Sequence, residues 1–218
     1  AVEELYSEPE RRERLLEGLS EVSDVERLLS RAVLGRMTPR EAASLRDTLE
    51  ATPGILVEVE SARGDLLAEL SHVDPVADLC GELQRVLEAQ PAANLSRGGV
   101  IAEGVDEELD HCRSLARDSK RHVMNLERRE RERTGIGSLK VRFNKVFGYY
   151  LEVTKANLDA VPDDYDRKQT LVNAERFITP ELKELEQQIL SAEARLVELE
   201  TEQFALLTER IAAHGERL

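Results

Sequence analysis

The sequence has little of the material from which disulfide-rich, aromatic-rich or membrane-spanning proteins are built. Its 218 residues include no Trp, four Phe, four Tyr and two Cys. Two cysteines cannot supply a disulfide framework, so we interpret Cys80 and Cys112 as reduced, intracellular residues with a structural role. No stretch approaches 18 uninterrupted apolar residues, and the first residues lack the pattern of a signal peptide. These absences predict an intracellular protein without a membrane span.

Charged residues are abundant, and most of them are acidic. They make up 34% of the sequence, and 44 Asp and Glu against 30 Lys and Arg give a net charge of −14. Such a composition is typical of long amphipathic helices with solvated faces. The total charge does not indicate a nucleic-acid-binding protein, although such binding depends on local charge.

Capping signals predict several helices in the first 90 residues. Asp24 is a plausible N-cap for a helix that ends at Gly35. Thr38 and Glu41 have the spacing of a capping box. We expect the helix that follows them to stop before Pro53, because proline disrupts a helix interior. The remaining patterns predict helical segments within 3–34, 54–70 and 75–90, and a glycine-containing loop over 90–104 with one short strand at 100–102.

Two long helices are predicted from apolar stripes with helical spacing. One stripe begins at Val105 and belongs to a helix of about eight turns that ends near Gly135. A second helix starts near Pro180, and its apolar residues alternate at spacings of three and four over 182–199. Such a seam needs a partner helix, so we expect the two helices to pair in antiparallel fashion.

Between these helices the spacing of apolar residues changes from about 3.6 to 2. Two alternating runs flank residues 145–148 and predict a β-hairpin. Because an isolated hairpin is only marginally stable, we expect at least three strands, with more near Leu171 and Phe177. The predicted fold class is mainly α with a small β insertion: a helical core plus a long antiparallel helical hairpin that carries a small antiparallel sheet at its tip.

The predicted sheet differs in charge from the rest of the chain. Residues 138–178 hold seven basic and six acidic residues, so this segment carries +1 while the remainder carries −15. Within 138–158 the balance is four basic residues to one acidic residue. One interpretation is a surface that contacts nucleic-acid phosphates. The other is an ordinary solvated sheet whose lysines protect an edge strand.

The residues needed for catalysis or metal binding do not form recognisable patterns. No Gly-x-x-x-x-Gly-Lys-Ser/Thr motif occurs, and the nearest similar stretch, GIGSLK at 135–140, has the wrong spacing for a phosphate-binding loop. His111 and Cys112 are neighbours in a predicted helix, so their side chains diverge by about 100° and make a poor metal pair. Asp163 and Asp164 follow a proline in a sequence typical of a turn. We therefore predict no enzyme activity, catalytic residue, metal site or cofactor in this chain.

Several long motifs resemble the MutS family of bacterial DNA mismatch-repair proteins. The run NKVFGYYLEVTKAN and the later VPDDYDRKQTLVNAERFITPELKELE carry the resemblance most clearly. The stretches SDVERLLSRAVLGRMTPRE, GGVIAEGVDEELD and ERRERERTG add to it, and the whole sequence aligns in order. The resemblance implies that residues 1–133 and 180–218 are part of the lever, or core, domain, and that residues 134–179 are the clamp domain.

In that family, two subunits form a ring around DNA, the clamp contacts the duplex backbone without sequence preference, and the lever links it to a distant ATPase. The resemblance thus implies a non-enzymatic part of mismatch recognition that contacts double-stranded DNA with mismatched or unpaired bases. It also implies a second subunit and MutL as partners, ATP and Mg²⁺ in an ATPase domain outside this chain, no membrane partner, and a cytoplasmic, nucleoid-associated location. We expect the sequence to be part of a longer protein, since it starts at Ala1 in a predicted helix.

The resemblance and the local charge select eight candidate DNA contacts. Asn144 and Lys168 stand where the family places backbone-contacting residues, Asn173 begins its NAER stretch, and Lys145 is added because it adjoins Asn144. Charge and location add four arginine and lysine residues, each of which could instead be solvated or paired with a nearby aspartate: Arg142, Lys155, Arg167 and Arg176. Asn173 could equally cap a turn. The alternative function is a coiled-coil scaffold whose tip binds a protein, which the seam over 182–199 fits equally well.

Overall fold

A computed structural model describes residues 1–60 and 62–218, which form two compact units. Residues 1–106 and 197–218 form the first, here called the helical unit, and residues 107–196 form the second, here called the sheet unit. Among the described residues, no helix is long and apolar enough to cross a membrane.

Six helices of 6 to 22 residues build most of the described part of the helical unit. A single 3₁₀ turn at Leu95–Arg97 lies in the long loop that follows them. The last part of α8 (Pro180–Ala213) completes this unit. The other helices are α1 (Val2–Ser7), α2 (Pro9–Ser20), α3 (Val25–Val33), α4 (Pro39–Glu60), α5 (Asp65–Leu70) and α6 (Ala77–Val86).

Both predicted helix starts are confirmed. The Asp24 side chain accepts a hydrogen bond from the Arg27 N–H at 2.9 Å and caps α3. The Thr38 N–H donates to the Glu41 carboxylate at 2.9 Å, and the Glu41 N–H donates to the Thr38 hydroxyl at 3.3 Å. This reciprocal pair is a capping box, and it satisfies two backbone donors that the first turn of α4 leaves without helical partners.

The predicted end of α4 before Pro53 is wrong, because the helix continues through this proline to Glu60. The last two turns of α4 carry apolar residues that are buried by other helices. Val59 is only 3% exposed and belongs to a cluster with Leu15 and Leu67. Packing of this face outweighs the loss of one helical hydrogen bond at the proline. The single helix predicted over 54–70 is therefore divided between α4 and α5.

A buried carboxylate holds the loop between α6 and the next helix. Glu200 in α8 is fully buried, and its two oxygens accept hydrogen bonds from the N–H groups of Gly99 and Val100, each at 3.0 Å. The short strand predicted at 100–102 is reduced to one bridge between Ile101 and Leu87. The loop thus gains its order from a contact between residues about 100 positions apart.

The capping box makes the stability of the helical unit depend on pH. Burial raises the pKa of the Glu41 carboxyl, but hydrogen bonds from Thr38 and two arginine side chains outweigh that effect and lower the pKa from 4.5 to about 2. Since the folded-state pKa is lowered, the stabilisation is complete above pH 4.5 and is lost as the pH falls towards 2.

Replacement of Glu41 by glutamine is expected to lower the free energy of unfolding by about 1 kcal/mol at pH 7. The difference from the unsubstituted chain should shrink as the pH falls below 4.5. Urea unfolding from pH 7 to pH 3 measures this difference. The control is Glu13→Gln at an exposed position of α2, which should stay within about 0.5 kcal/mol throughout. If the loss of stability in Glu41→Gln does not depend on pH, the lowered pKa of the Glu41 carboxyl is not its cause.

The sheet unit contains the predicted antiparallel helical hairpin. Its two helices are α7 (Glu107–Thr134) and the first part of α8, up to residue 196. Ion pairs between the two helices show their opposite directions, since rising numbers in α7 meet falling numbers in α8. These pairs are Glu108 with Arg195 at 2.8 Å, Lys120 with Glu193 at 2.5 Å, and Arg129 with Glu181.

Four antiparallel strands follow α7, in the spatial order β1-β2-β4-β3. A 3₁₀ segment at Lys155–Ala160 separates the two strand pairs. Leu171, predicted to lie in or near a strand, falls in the turn between β3 and β4. The strands are β1 (Lys140–Asn144), β2 (Gly148–Thr154), β3 (Asp166–Thr170) and β4 (Ala174–Ile178).

One face of this sheet packs on the two long helices. Leu151 and Phe177 from the central strands form a buried cluster with Leu126 of α7 and Leu182 of α8. The predicted fold class, mainly α with a small antiparallel sheet, is confirmed. The clamp boundaries at 134 and 179 stay a prediction, because the compact unit also includes the helices that carry the sheet.

Candidate nucleic-acid interface

The strand register assigns the side chains to two faces of the sheet. Val141, Leu151 and Phe177 lie opposite one another across β1, β2 and β4, and they face the helices. Lys140, Glu152 and Arg176 form the neighbouring row, which points to the other side because side chains alternate along a strand. This second side, here called the outer face, is therefore the polar side of the sheet.

The three candidate arginines of the sheet are held by other side chains. Arg142 forms an ion pair with Glu152 at 3.1 Å, and Arg167 forms one with Glu175 at 2.8 Å. Arg176 donates a hydrogen bond to the Gln169 side chain at 2.7 Å. Its guanidinium carbon lies 4.3 Å from the centre of the Tyr150 ring. The partners are glutamate, glutamine and tyrosine, whereas the sequence suggested aspartates.

The lysines of the sheet and its connections differ from these arginines. Lys140, Lys145, Lys155 and Lys168 are all exposed, and within the described parts of the chain none of them forms an ion pair. Four ammonium groups are therefore available to an external anion. Among the predicted contacts in the described residues, Lys145, Lys155 and Lys168 thus lack the side-chain partners that hold the three arginines.

The two candidate asparagines occupy turns at the ends of strands. The Asn144 side-chain oxygen accepts a hydrogen bond from the Val146 N–H at 2.8 Å, which stabilises the turn between β1 and β2. Asn173 is exposed in the turn between β3 and β4, and its carbonyl accepts a hydrogen bond from the Lys155 N–H at 3.1 Å. Hence Lys155 and Asn173 lie side by side.

The candidate residues do not form a single cluster. Asn144 pairs with Gly148 at the first residue of β2, whereas Asn173 lies beside Lys155, just after the last residue of that strand. Seven residues of extended chain separate these points by roughly 20 Å. Lys168 lies in β3, at the edge opposite β1. The candidates are thus spread over both ends and one edge of the sheet.

A hydrogen-bonded network joins the segment before β3 to the end of α7. The Tyr165 hydroxyl donates to the buried Glu130 carboxylate at 2.9 Å, and Arg133 pairs with Glu130 at 2.7 Å and with Asp164 at 3.1 Å. Burial and the hydrogen bond to Glu130 raise the pKa of the Tyr165 hydroxyl, which keeps it protonated. Asp164 therefore has a structural partner, in keeping with the turn predicted there.

Sequence reasoning did not select two residues of the outer face. Lys140 is exposed there, and Tyr150 is only 5% exposed because the Arg176 side chain covers it. The alternation of Lys140, Arg142 and Asn144 could have placed Lys140 on the same face as the other two residues. No local signal could have found Tyr150, because its burial depends on a residue from another strand.

Comparison with known proteins finds matches for the sheet unit and for the whole chain. Residues 104–195 match the family model described as MutS family domain IV. The whole chain is 46% identical to the DNA mismatch repair protein MutS of Symbiobacterium thermophilum and 48% identical to that of Thermotoga petrophila. It is 47% identical to DNA mismatch repair protein MutS 2 of Haloarcula marismortui. It covers 25%, 27% and 23% of these relatives, respectively, and so spans about a quarter of their length.

Proposed function

This chain belongs to the MutS family of DNA mismatch-repair proteins, and on that basis we propose that its sheet unit contacts the sugar–phosphate backbone of duplex DNA. The family resemblance predicted from the motifs is confirmed. The proposal adds a role for this part of the molecule: it holds DNA without reading the sequence, because phosphate contacts carry no base information.

The observation that supports the proposal most directly is the set of four exposed lysines without ion-pair partners in the described residues. They belong to a segment of net charge +1 in a chain of net charge −14. Their spread over the sheet suits an extended polyanion, which can meet separated cations with different phosphates. Asn144 and Asn173 would add hydrogen bonds at the two ends of the same surface.

The wider role extends the family resemblance to the whole protein. In this proposal α7 and α8 act as a lever that couples the sheet to an ATPase domain outside this chain, where ATP and Mg²⁺ bind. A second subunit completes a ring around mismatched or unpaired DNA, and MutL is a further partner. The protein acts in the cytoplasm, on nucleoid DNA.

The alternative is a scaffold whose sheet binds a protein. It is favoured by the end of β1 and the turn that follows it, which expose three apolar residues: Phe143 at 50%, Val146 at 81% and Phe147 at 51%. An exposed apolar turn is a common feature of protein-binding surfaces. DNA binding and this alternative predict different responses to salt, since only the former releases counterions from phosphates.

Replacement of both Lys155 and Lys168 by glutamine is expected to weaken duplex binding about tenfold near 0.1 M salt. The slope of log K against log salt should become shallower by up to about 2, because two phosphate contacts are lost. Fluorescence anisotropy with a labelled duplex at four salt concentrations measures both quantities, using the protein at its full encoded length.

The matched control removes two exposed positive charges from the helical unit, through Arg40→Gln and Arg63→Gln. This control should keep the affinity within about twofold and the slope unchanged. Equal binding by the lysine variant and the unsubstituted protein would contradict the proposed DNA contact and favour the scaffold.

A further inference from the structure

One acidic residue stands among the cations of the outer face. Glu152 is the only carboxylate within residues 138–158, a segment that otherwise holds four basic residues. The strand register places it on β2, directly between Lys140 of β1 and Arg176 of β4. Its side chain is 24% exposed, so the carboxylate lies at the surface of the outer face.

Two guanidinium groups from opposite sides converge on this carboxylate. The Arg142 Nε lies 3.1 Å from one Glu152 oxygen, and the Arg176 Nε lies 3.9 Å from the other. Arg176 cannot move freely, because its guanidinium stacks on Tyr150 and donates to Gln169. The cations are thus oriented in advance, and the group that occupies the space between them is an anion.

A carboxylate and a phosphate make similar bonds with arginine. Both accept charge-assisted hydrogen bonds from guanidinium N–H groups. A DNA phosphate that approaches the outer face would therefore compete with Glu152 for the exposed Arg142 guanidinium. The Glu152 charge would also repel that phosphate, because the carboxylate is partly buried and water screens the repulsion between the two anions only in part.

We infer that Glu152 is a positioning residue that holds Arg142 in place beside the fixed Arg176 and, by competing with phosphate, limits how tightly the sheet binds DNA. This inference rests on the proposed function. It explains why a basic segment carries one carboxylate at the centre of its exposed face. The consequence is a backbone contact that is oriented yet readily released.

Replacement of Glu152 by glutamine tests the inference, because the amide keeps the shape of the side chain and removes its charge. We expect three- to tenfold tighter binding to duplex DNA. The salt dependence should become steeper by up to about 1, since the freed Arg142 contacts one more phosphate. The matched control is Asp159→Asn, which removes one exposed negative charge from the same unit. It should alter the affinity less than twofold.

A purely structural role for Glu152 predicts the opposite result. Binding by Glu152→Gln that is equal to or weaker than that of the unsubstituted protein would overturn the inference. A double-mutant cycle adds a second measurement: with Arg142→Gln already present, the gain from Glu152→Gln should fall to less than half. An undiminished gain in that background would also overturn it.

The two proposals can fail separately. If the Lys155 and Lys168 variant binds DNA normally, the proposed function fails. If that variant is impaired and Glu152→Gln gives no gain in affinity, only this inference fails.

Discussion

Replacement of Leu151 by alanine is expected to lower the free energy of unfolding of the sheet unit by about 3 kcal/mol. Leu151 is fully buried at the centre of β2, between Val141 of β1 and Phe177 of β4. Its side chain belongs to the cluster that joins the sheet to α7 and α8. Removal of three carbon atoms there forfeits burial and leaves a cavity that the surrounding strands cannot close fully.

The effect should be confined at first to the sheet unit. Hydrogen exchange is expected to show faster opening of the β2 and β4 amides, with the helical unit unchanged. Duplex binding should weaken as the sheet opens, because the lysines lose their fixed separation. Urea unfolding and hydrogen exchange followed by mass spectrometry measure the two effects on one sample.

The matched control is Leu190→Ala in α8, because the Leu190 side chain is 48% exposed. This change should cost less than about 1 kcal/mol, since less apolar surface is returned to water. A comparable loss of stability in both variants would show that the Leu151 contacts do not hold the sheet in place.

The sheet and its helical support could be predicted because their signals are local. The alternation of Leu151 with its polar neighbours identifies β2, and the seam over 182–199 identifies a helix that needs a partner. The capping box at Thr38 depends on residues three positions apart. In each case the physical cause lies within one or two turns of chain, where sequence spacing and spatial distance are closely related.

The course of α4 could not be predicted in the same way. Proline is unfavourable within a helix, and the local signal at Pro53 therefore predicts an end. The helix continues because Val59 is buried against Leu67 of the next helix and against Leu15 of α2, which is distant in sequence. This energy belongs to the packing of three helices and does not appear in any short window of the sequence.

The charge of the candidate DNA surface was predictable, but the ion pairs of its basic side chains were not. Composition alone identifies residues 138–158 as basic. Which cations remain accessible depends on the strand register, which brings Glu152 close to Arg142 and Arg176 and leaves the lysines without ion pairs among the described residues. The separation of Asn144 from Asn173 is likewise a property of sheet topology.

Replacement of Glu200 by alanine is expected to destabilise the helical unit by about 3 kcal/mol. This carboxylate is one of 44 acidic groups in the chain, and nothing in its local sequence distinguishes it. It is nevertheless fully buried, and it accepts the N–H groups of Gly99 and Val100. Without it, these donors lose their partners in a region that is closed to water at Val100, and an unsatisfied buried donor is costly.

The variants around Glu200 separate charge from hydrogen bonding. Glu200→Gln keeps one acceptor oxygen but turns its NH2 group towards the second N–H. We therefore expect about half the loss of stability that is seen with alanine. Glu202→Ala, at an exposed position two residues along α8, should change stability by less than about 0.5 kcal/mol. Hydrogen exchange at both Gly99 and Val100 should accelerate in Glu200→Ala and stay unchanged in Glu202→Ala. The contact joins residues 101 positions apart. If these two amides stay protected in Glu200→Ala, the loop is ordered by its own turns and does not depend on the Glu200 carboxylate.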